Sequence, residues 1–581
     1  MLLKPVRLTT MLSAALLATF TLTLPGPAQN LTTVLQQAVC AQQWGTAIKI
    51  IDQQLSAIPK PSKQRSELLQ YRNRLQSLLQ SGAKVPEWSK NCSTRPQPVA
   101  SKPTALASQP IAIQPAASAI APPQGTTSPP SSNPSVGEPA RSADVFVDSI
   151  GVATHWNYPN TPYGYAYKAV QDKLVESGIR HVRDGLSDRI QALGALGIKS
   201  TVVADIDNNS NGDIATVQRI KDQIKAANSS GFIDAVEGPN EPDLFWMNFQ
   251  KSYKGQGYQQ GQAGISQGVI AFQQDLYTTL KSDPATAGLT VIGPALGVTY
   301  DPGAGMVNIL GKGSLTNYVD WGNFHPYPGA GNPFSFPFPY GTIQKYYWQG
   351  SFPSVNLDEF PSSLDIYAPP FASKPMSATE TGYATHAAGI SETVHAKYIP
   401  RLLCEYFRLG IQRTYLYELI DEFADPQKTD PEANFGLLRH DVTPKPAYTA
   451  LKSLIGLLQE KGIGATFKPS SLDYTLTVGA MPGYDRTQYV HHLLLQKSNK
   501  DFYLVLWHEV ANEDVSVTPH RQIAPPDMPA TLTLRQPMQQ AILYNYDAAW
   551  QLQPTAVAIA NNTIQLNVPD KVIVLKLTPA Q

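Results

Sequence analysis

The chain has 581 residues, with 45 Lys plus Arg against 45 Asp plus Glu, and charged residues make up only 15% of it. A balanced and sparsely charged chain carries no electrostatic footprint for nucleic acid or for an anionic membrane surface. A length prior of about 150 residues per domain points to three or four units, and a hydrophobic share of 42% is enough to fill their cores.

The N-terminus, "MLLKPVRLTTMLSAALLATFTLTLPGPAQN", places Lys4 and Arg7 ahead of an apolar stretch from Leu8 to Leu24, then small residues and a cleavage position after Ala28. Residues 1–28 thus have the pattern of a secretory signal peptide, which implies a secreted, periplasmic or cell-envelope protein. At roughly 17 residues the stretch also approaches the lower limit for an uncleaved membrane anchor. No later segment is long and apolar enough to span a bilayer, so no membrane contact beyond the signal segment is expected.

Residues 29–92 hold two helical periods, "LTTVLQQAVCAQQWGTAIKIIDQQLSA" and "SKQRSELLQYRNRLQSLLQSG", separated by "IPKPSK". Apolar positions recurring at three and four predict a helical hairpin, weakly similar to a single tetratricopeptide-type repeat. One such repeat buries little surface alone, so a Cys40–Cys92 disulfide is expected as a staple in an oxidising compartment. The hairpin is either a passive module or a docking site for a protein partner. The third cysteine, Cys404, lies in the helical pattern "IPRLLCEYFRLG" and reads as a buried apolar residue. Three cysteines without histidine spacing make no metal site, and nothing in the chain calls for a cofactor. Residues 93–142, dense in Pro, Ser, Ala and Thr, cannot bury a core and read as an extended, disordered linker.

From 143 to 456 short apolar runs alternate with helical periods: "DVFVDSIGVATH", "GIRHVRD", "GIKSTVVAD", "FIDAVEGPNE", "LTVIGPA", "YVDWGNFHPY", "PMSATETGY" and "IQRTYLYELID". Eight strand–helix alternations predict an α/β fold, a (β/α)8 TIM barrel. The span exceeds the usual ~250 residues, mostly through a Phe-, Pro- and Tyr-rich segment after the sixth run. From 457 to 581 the helical signal fades into alternating runs such as "DFYLVLWHEV" and "KVIVLKL", which predict an antiparallel β-sandwich.

Residues that end the strands of such a barrel face one common cup. Here those ends carry His155-Trp156, Arg183-Asp184, Asn240-Glu241, His325-Pro326-Tyr327, Glu380 and Tyr417-Glu418. Loops that merely capped strands would show Gly, Asp and Ser instead. Strands four and seven lie across the barrel from each other, so Glu241 and Glu380 can face each other over a ligand. Two opposed carboxyl groups about 5–5.5 Å apart suit a retaining glycosidase, and ~6.5–9.5 Å suits inversion. One must keep its proton near neutral pH and the other must stay ionised.

"GPNEPD" followed by "SATETGY" resembles clan A, the large group of retaining glycoside hydrolases on (β/α)8 barrels, with families 39, 30, 79 and the clan-like members of family 5 nearest in feel and no single family pinned. The resemblance covers roughly residues 144–581, because "NFGLLRHDVTPKPAYTAL" followed by a β-domain also recurs in several of those families. It implies that Glu241 is the acid/base, Glu380 the nucleophile, and Asn240 a partner of the sugar 2-hydroxyl. It further implies that Arg183 keeps the nucleophile ionised and that His325 or Tyr327 orients one of the two carboxyl groups.

Each assignment has a plainer counterpart. Glu241 as a helix-terminus acid, Arg183 as a salt bridge to Asp184, and His325 as a satisfied structural histidine are the main ones. Glu418 either touches substrate or only neighbouring loops, and Glu237 and Asp243 read as structural. Sugar faces stack on aromatic rings, so Trp156, Trp246, Tyr327, Tyr346, Tyr347 and Trp348 are candidates, with Trp246 and Trp348 equally readable as packing under their loops. The expected activity is hydrolysis of an O-glycosidic bond, most simply β, in an oligo- or polysaccharide by double displacement without metal. The alternatives are a non-catalytic envelope carbohydrate-binding protein on a degenerate barrel, or a barrel that merely scaffolds the hairpin.

Overall fold

The computed structural model describes residues 43–57, 72, 137–297, 300–301, 305–306, 308–329, 363–460, 467–515 and 517–580. The chain divides into two units, Met1–Ser131 and Ser132–Gln581. In the first, a helix spans Trp44–Ala57, and the Arg72 guanidinium reaches the Asp52 carboxylate at 2.5 Å. The signal segment, Cys40, Cys92, and Tyr346, Tyr347 and Trp348 lie outside the described residues.

The second unit begins with the barrel. Its strands are β1 (Ile150–Ala153), β2 (His181–Asp184), β3 (Lys199–Val203), β4 (Ile233–Glu237), β5 (Thr290–Ile292), β6 (Gly322–Phe324), β7 (Met376–Thr381) and β8 (Thr414–Leu416). They are parallel and ordered β5-β4-β3-β2-β1-β8-β7-β6. A parallel bridge between Ile292 and Trp321 brings the two edge strands together, with Gly293 N–H donating to the Trp321 carbonyl at 2.9 Å. β1 to β5 each carry Val or Ile, as suits parallel strands covered on both faces. A Cβ at Gly151 on β1 would sit 2.4 Å from the Tyr415 ring of β8, so glycine there makes room for a large interior side chain.

Helices close the outside: α1 (Tyr167–Ser177), α2 (Ile190–Gly194), α3 (Ile214–Ala227), α4 (Pro242–Asn248), α5 (Gly261–Ser282), α6 (Glu392–Arg408) and α7 (Pro446–Leu458). Local sequence sets their starts. Asp213 accepts from Ala215 and Thr216 N–H at the head of α3, and proline opens α4 and α7, where its missing N–H costs nothing.

The C-terminal part is built mainly on two antiparallel sheets. One orders β9 (Tyr474–Val478), β12 (Met528–Leu534) and β15 (Thr563–Val568) as β9-β12-β15. The other runs β10 (Val490–Gln496), β11 (Phe502–His508), β16 (Ile573–Pro579), β13 (Met538–Tyr546) and β14 (Leu552–Ala556). Alternate residues such as Leu532, Leu566, Leu504 and Leu575 meet in one apolar layer between them. The opposite face of the larger sheet, with Leu493, Val505, Trp507 and Val574, joins the same apolar core as α6 and α7. Arg401 of α6 is fully buried there, bonded to Glu509 and Asn512.

One boundary needs correcting. The expected linker extends to Ser142, but Glu138–Pro139 pair with Ser471–Leu472, and Arg141–Ser142 pair with Leu495–Gln496. These pairings are two residues long, and their partners lie more than 300 residues away, so no local period announces them.

Candidate active site

The turn after β4 places the first carboxylate. Glu241 adopts φ 41° and ψ 54°, the left-handed region, immediately before Pro242. A non-glycine residue there costs on the order of 1–2 kcal/mol, and the α region is further disfavoured before proline. The conformation is held by Glu241 N–H to the Ala295 carbonyl at 2.9 Å and by Phe245 N–H to the Glu241 carbonyl at 2.8 Å. Glu241 stands at the N-cap of α4, yet its side chain makes no capping bond. The carboxylate turns to His325 Nδ1 instead, at 2.8 Å. Strain of this kind, held in place by its surroundings, is characteristic of functional sites.

Glu380, at the end of β7, is the second. Arg183 from β2 donates to its Oε1 at 2.5 Å, and the Tyr327 hydroxyl donates to Oε2 at 2.8 Å. Burial by itself would raise the Glu380 pKa. The charges of His325 and Arg183, with the two donated bonds, outweigh it and bring the group down to about 2, so Glu380 is a carboxylate throughout the physiological range. His325 stands between the two acids: its Nδ1 is also 3.6 Å from Glu380 Oε2, and its Nε2 meets Thr379 Oγ1 at 3.0 Å. Burial opposes the imidazolium, but Glu380 and Glu241 win and raise its pKa. A ring nitrogen of His325 and one oxygen from each of Glu241 and Glu380 lie within 4.8 Å of one another.

Arg183 is fixed from behind. It makes a two-pronged pair with Glu237 at 2.7 and 2.8 Å and donates to Asn240 Oδ1 at 2.6 Å. Glu237 is itself fully buried and accepts from Asn323 and Thr379. The salt bridge to Asp184 does not form. Asp184 accepts from Thr154 Oγ1, Trp156 N–H and Gly185 N–H, tying the β1 loop to β2; burial, only partly offset by His155 and these donors, pushes its pKa up to about 6. The loop after β5 matters too: a Cβ on Gly297 would lie 2.9 Å from the Glu241 carboxyl carbon and 2.6 Å from Leu244 Cδ1.

A second trio sits at β1 and β8. His155 Nδ1 lies 2.6 Å from Glu422 Oε1 and 3.5 Å from Glu418 Oε2, and Tyr163 donates to Glu418 at 3.3 Å. Glu418 is buried, and its Oε1 has no hydrogen-bond partner among the described residues. Burial dominates here, and despite His155 the Glu418 pKa rises to about 8. His155 is raised in turn by its two acids against its own burial. The Tyr417 ring joins the trios, 5.8 Å from His155 and 6.2 Å from Tyr327. Both trios carry donors that suit a divalent cation. In each, though, the imidazole meets a carboxylate at 2.6 or 2.8 Å, the spacing of a shared proton.

Two aromatic candidates fall away. Trp156 is 5% exposed and packs edge-on against Tyr163 and Tyr167; its backbone is anchored to Asp184, which turns the indole into the core rather than the cup. Trp246 is fully buried, donating to Asp205 at 2.9 Å. Sequence reasoning missed Asn323, Thr379, Gly297 and Glu422, and assigned Glu237 no role in the site. The alternation on β6 and β7 is the one signal that could have found Asn323 and Thr379, since it turns them to the same interior as Glu237.

No family model matches the sequence, and no curated protein matches it. Among solved structures it is similar to a family 39 glycoside hydrolase from the gut symbiont Bacteroides cellulosilyticus, at 15% identity and a TM-score of 0.47 over 76% of this chain and 83% of that one. It is also similar to a family 39 enzyme from Xanthomonas axonopodis pv. citri, at 18% identity and 0.44 over 77% and 96%. A family 30 endoxylanase from Clostridium papyrosolvens gives 11% and 0.42 over 77% and 98%. Likeness at this level transfers neither residue roles nor a substrate.

Proposed function

We propose that the chain is a retaining glycoside hydrolase acting on an oligo- or polysaccharide, with Glu380 as nucleophile and Glu241 as acid/base. One observation carries the reading. Glu241 and Glu380 approach within 4.8 Å, oxygen to oxygen, while Arg183 and Tyr327 hold Glu380 ionised. An oxygen–oxygen approach of that order accommodates the ~5–5.5 Å carboxyl separation of a double displacement.

In the first step a Glu380 oxygen bonds to the anomeric carbon as the glycosidic C–O bond breaks, and Glu241 gives its proton to the leaving oxygen. In the second, Glu241 takes a proton from water, whose oxygen replaces the Glu380 ester. His325, bonded to Glu241, is placed to follow that change of charge. Arg183 fixes Asn240 through its carbonyl oxygen, so the amide NH2 is the end left to donate to a sugar hydroxyl. His155, one ring away across Tyr417, would meet a hydroxyl further along the sugar, with the fully buried Glu418 held behind it. The signal pattern of residues 1–28 favours action outside the cytoplasm.

The reading is tested by trapping. An activated 2-deoxy-2-fluoro glycoside should add one glycosyl mass to the peptide carrying Glu380, and the released sugar should keep its anomeric configuration by NMR. Inverted product, or label on another residue, would overturn it.

A further inference from the structure

The rings that join the two trios continue outward to the surface. From Tyr327, which holds Glu380, the path passes through Tyr417 and His155 at the ring separations given above. Tyr158 then stacks on His155 with centroids 4.8 Å apart and planes 18° from parallel. The inner members are half-buried, but Tyr158 is 48% exposed, and its hydroxyl has no partner among the described residues. Phe423, the residue after Glu422, is 53% exposed as well.

Single exposed aromatics are ordinary on protein surfaces, but Tyr158 is held. Its N–H donates to the His155 carbonyl at 3.0 Å, and its own carbonyl accepts from Thr161 Oγ1 at 2.8 Å. One ring face is taken by His155, leaving the other on the open side. Direction follows from the acid. Glu241, against Gly297, marks the side where the leaving group departs, on β4 and β5, whereas β1 and β8 lie across the barrel. A saccharide with its scissile bond at Glu241 therefore runs toward His155 and Tyr158 with its non-reducing part.

We propose that Tyr158, backed by His155, is a stacking platform for a sugar ring beyond the one whose bond is cleaved, so that the substrate is a saccharide chain and not a lone terminal sugar on an aglycone. The ordered ring presents a flat apolar face, which suits the C–H face of a pyranose at small entropic cost. The proposal rests on the glycoside hydrolase reading.

The test compares aryl glycosides of one, two and three sugars that share the same sugar next to the aryl group. With the unaltered protein, kcat/KM should rise by roughly tenfold or more from one sugar to two or three. Tyr158→Ala should erase most of that rise, so that its loss on the longer substrates exceeds its loss on the shortest by a similar factor. Tyr158→Trp should restore the dependence, and thermal unfolding should be unchanged in both. Equal losses on all three substrates, or no length dependence before substitution, would overturn the platform while leaving the hydrolase reading intact. Absence of turnover on every glycoside would overturn the reading beneath it, and the platform with it.

Discussion

Two trios in this barrel are built from the same parts and are tuned in opposite directions. At β4, β6 and β7, His325 stands between Glu241 and Glu380; at β1 and β8, His155 stands with Glu418 and Glu422; in each, three polar atoms lie within 4.8 Å of one another. Burial pushes both central carboxyls toward the neutral form. Glu380 nonetheless falls to about 2, whereas Glu418 rises to about 8. The first trio is reached by the Arg183 guanidinium and the Tyr327 hydroxyl. Among the described residues no guanidinium reaches the second, and two further acids, Glu422 and Asp421, press on Glu418. A histidine and two glutamates thus do not define a chemistry: the charge standing behind them does. On the proposed reading the first corner attacks the anomeric carbon, while the second holds a proton.

The sharpest break in this comparison is Glu380→Gln. It keeps the shape of the side chain and removes the negative charge that the proposed attack requires, so kcat/KM should fall on the order of 10⁴-fold with the unfolding temperature little altered. Comparable activity in the variant would remove the first trio's claim to be the reacting one. Arg183→Lys probes what makes the trios differ. A lysine keeps the charge but cannot serve Glu237, Glu380 and Asn240 in one plane, so activity should drop roughly hundredfold. Glu380 would then be less depressed. A depressed carboxyl is ionised above its folded pKa, so weakening that depression moves the acid limb of kcat/KM upward in pH. An unmoved limb would mean that Arg183 does not tune Glu380.

Much of the first corner was legible in the sequence, because its members end strands. Asn240-Glu241, Arg183, Glu380 and His325 each follow an apolar run, and the barrel turns every such end into the same cup. What lies one layer behind was not legible. Glu237 looks like any strand acid until Arg183 pairs with it, and Asn323 and Thr379 sit mid-strand, where period-2 alternation says only that they point inward. Tryptophans misled in the other direction: Trp156 follows β1 and Trp246 lies in α4 after β4, but anchorage at Asp184 and Asp205 turns both indoles into the core. Strands of two residues, like those at 138–142, carry no pattern of their own.

Gly297→Ala separates the two acids within the first trio. The new methyl would press on the Glu241 carboxyl and on Leu244, and leave Glu380 and its donors alone. Substrates whose leaving group needs a proton should lose roughly tenfold in kcat/KM, while highly activated aryl glycosides lose little. A uniform loss across leaving groups would show that the methyl disturbs the whole cup and not the acid alone.

The smallest expected effect belongs to the second trio and is read in stability. Glu418 has a folded pKa near 8 against about 4.3 for an unperturbed glutamate. The fold therefore takes up a proton between those values, and the stability this group contributes is full below the lower one and lost as pH rises through the upper. His155 is raised as well, so its contribution is also present at low pH and fades as pH climbs; the two add in the same direction. Glu418→Gln stays neutral, and should gain on the parent protein as pH rises from about 5 to 8, by roughly 2 °C or more in unfolding temperature at the alkaline end. A gap that widens instead toward acid pH would mean that Glu418 is an ordinary ionised partner of His155, and the contrast between the two corners would disappear.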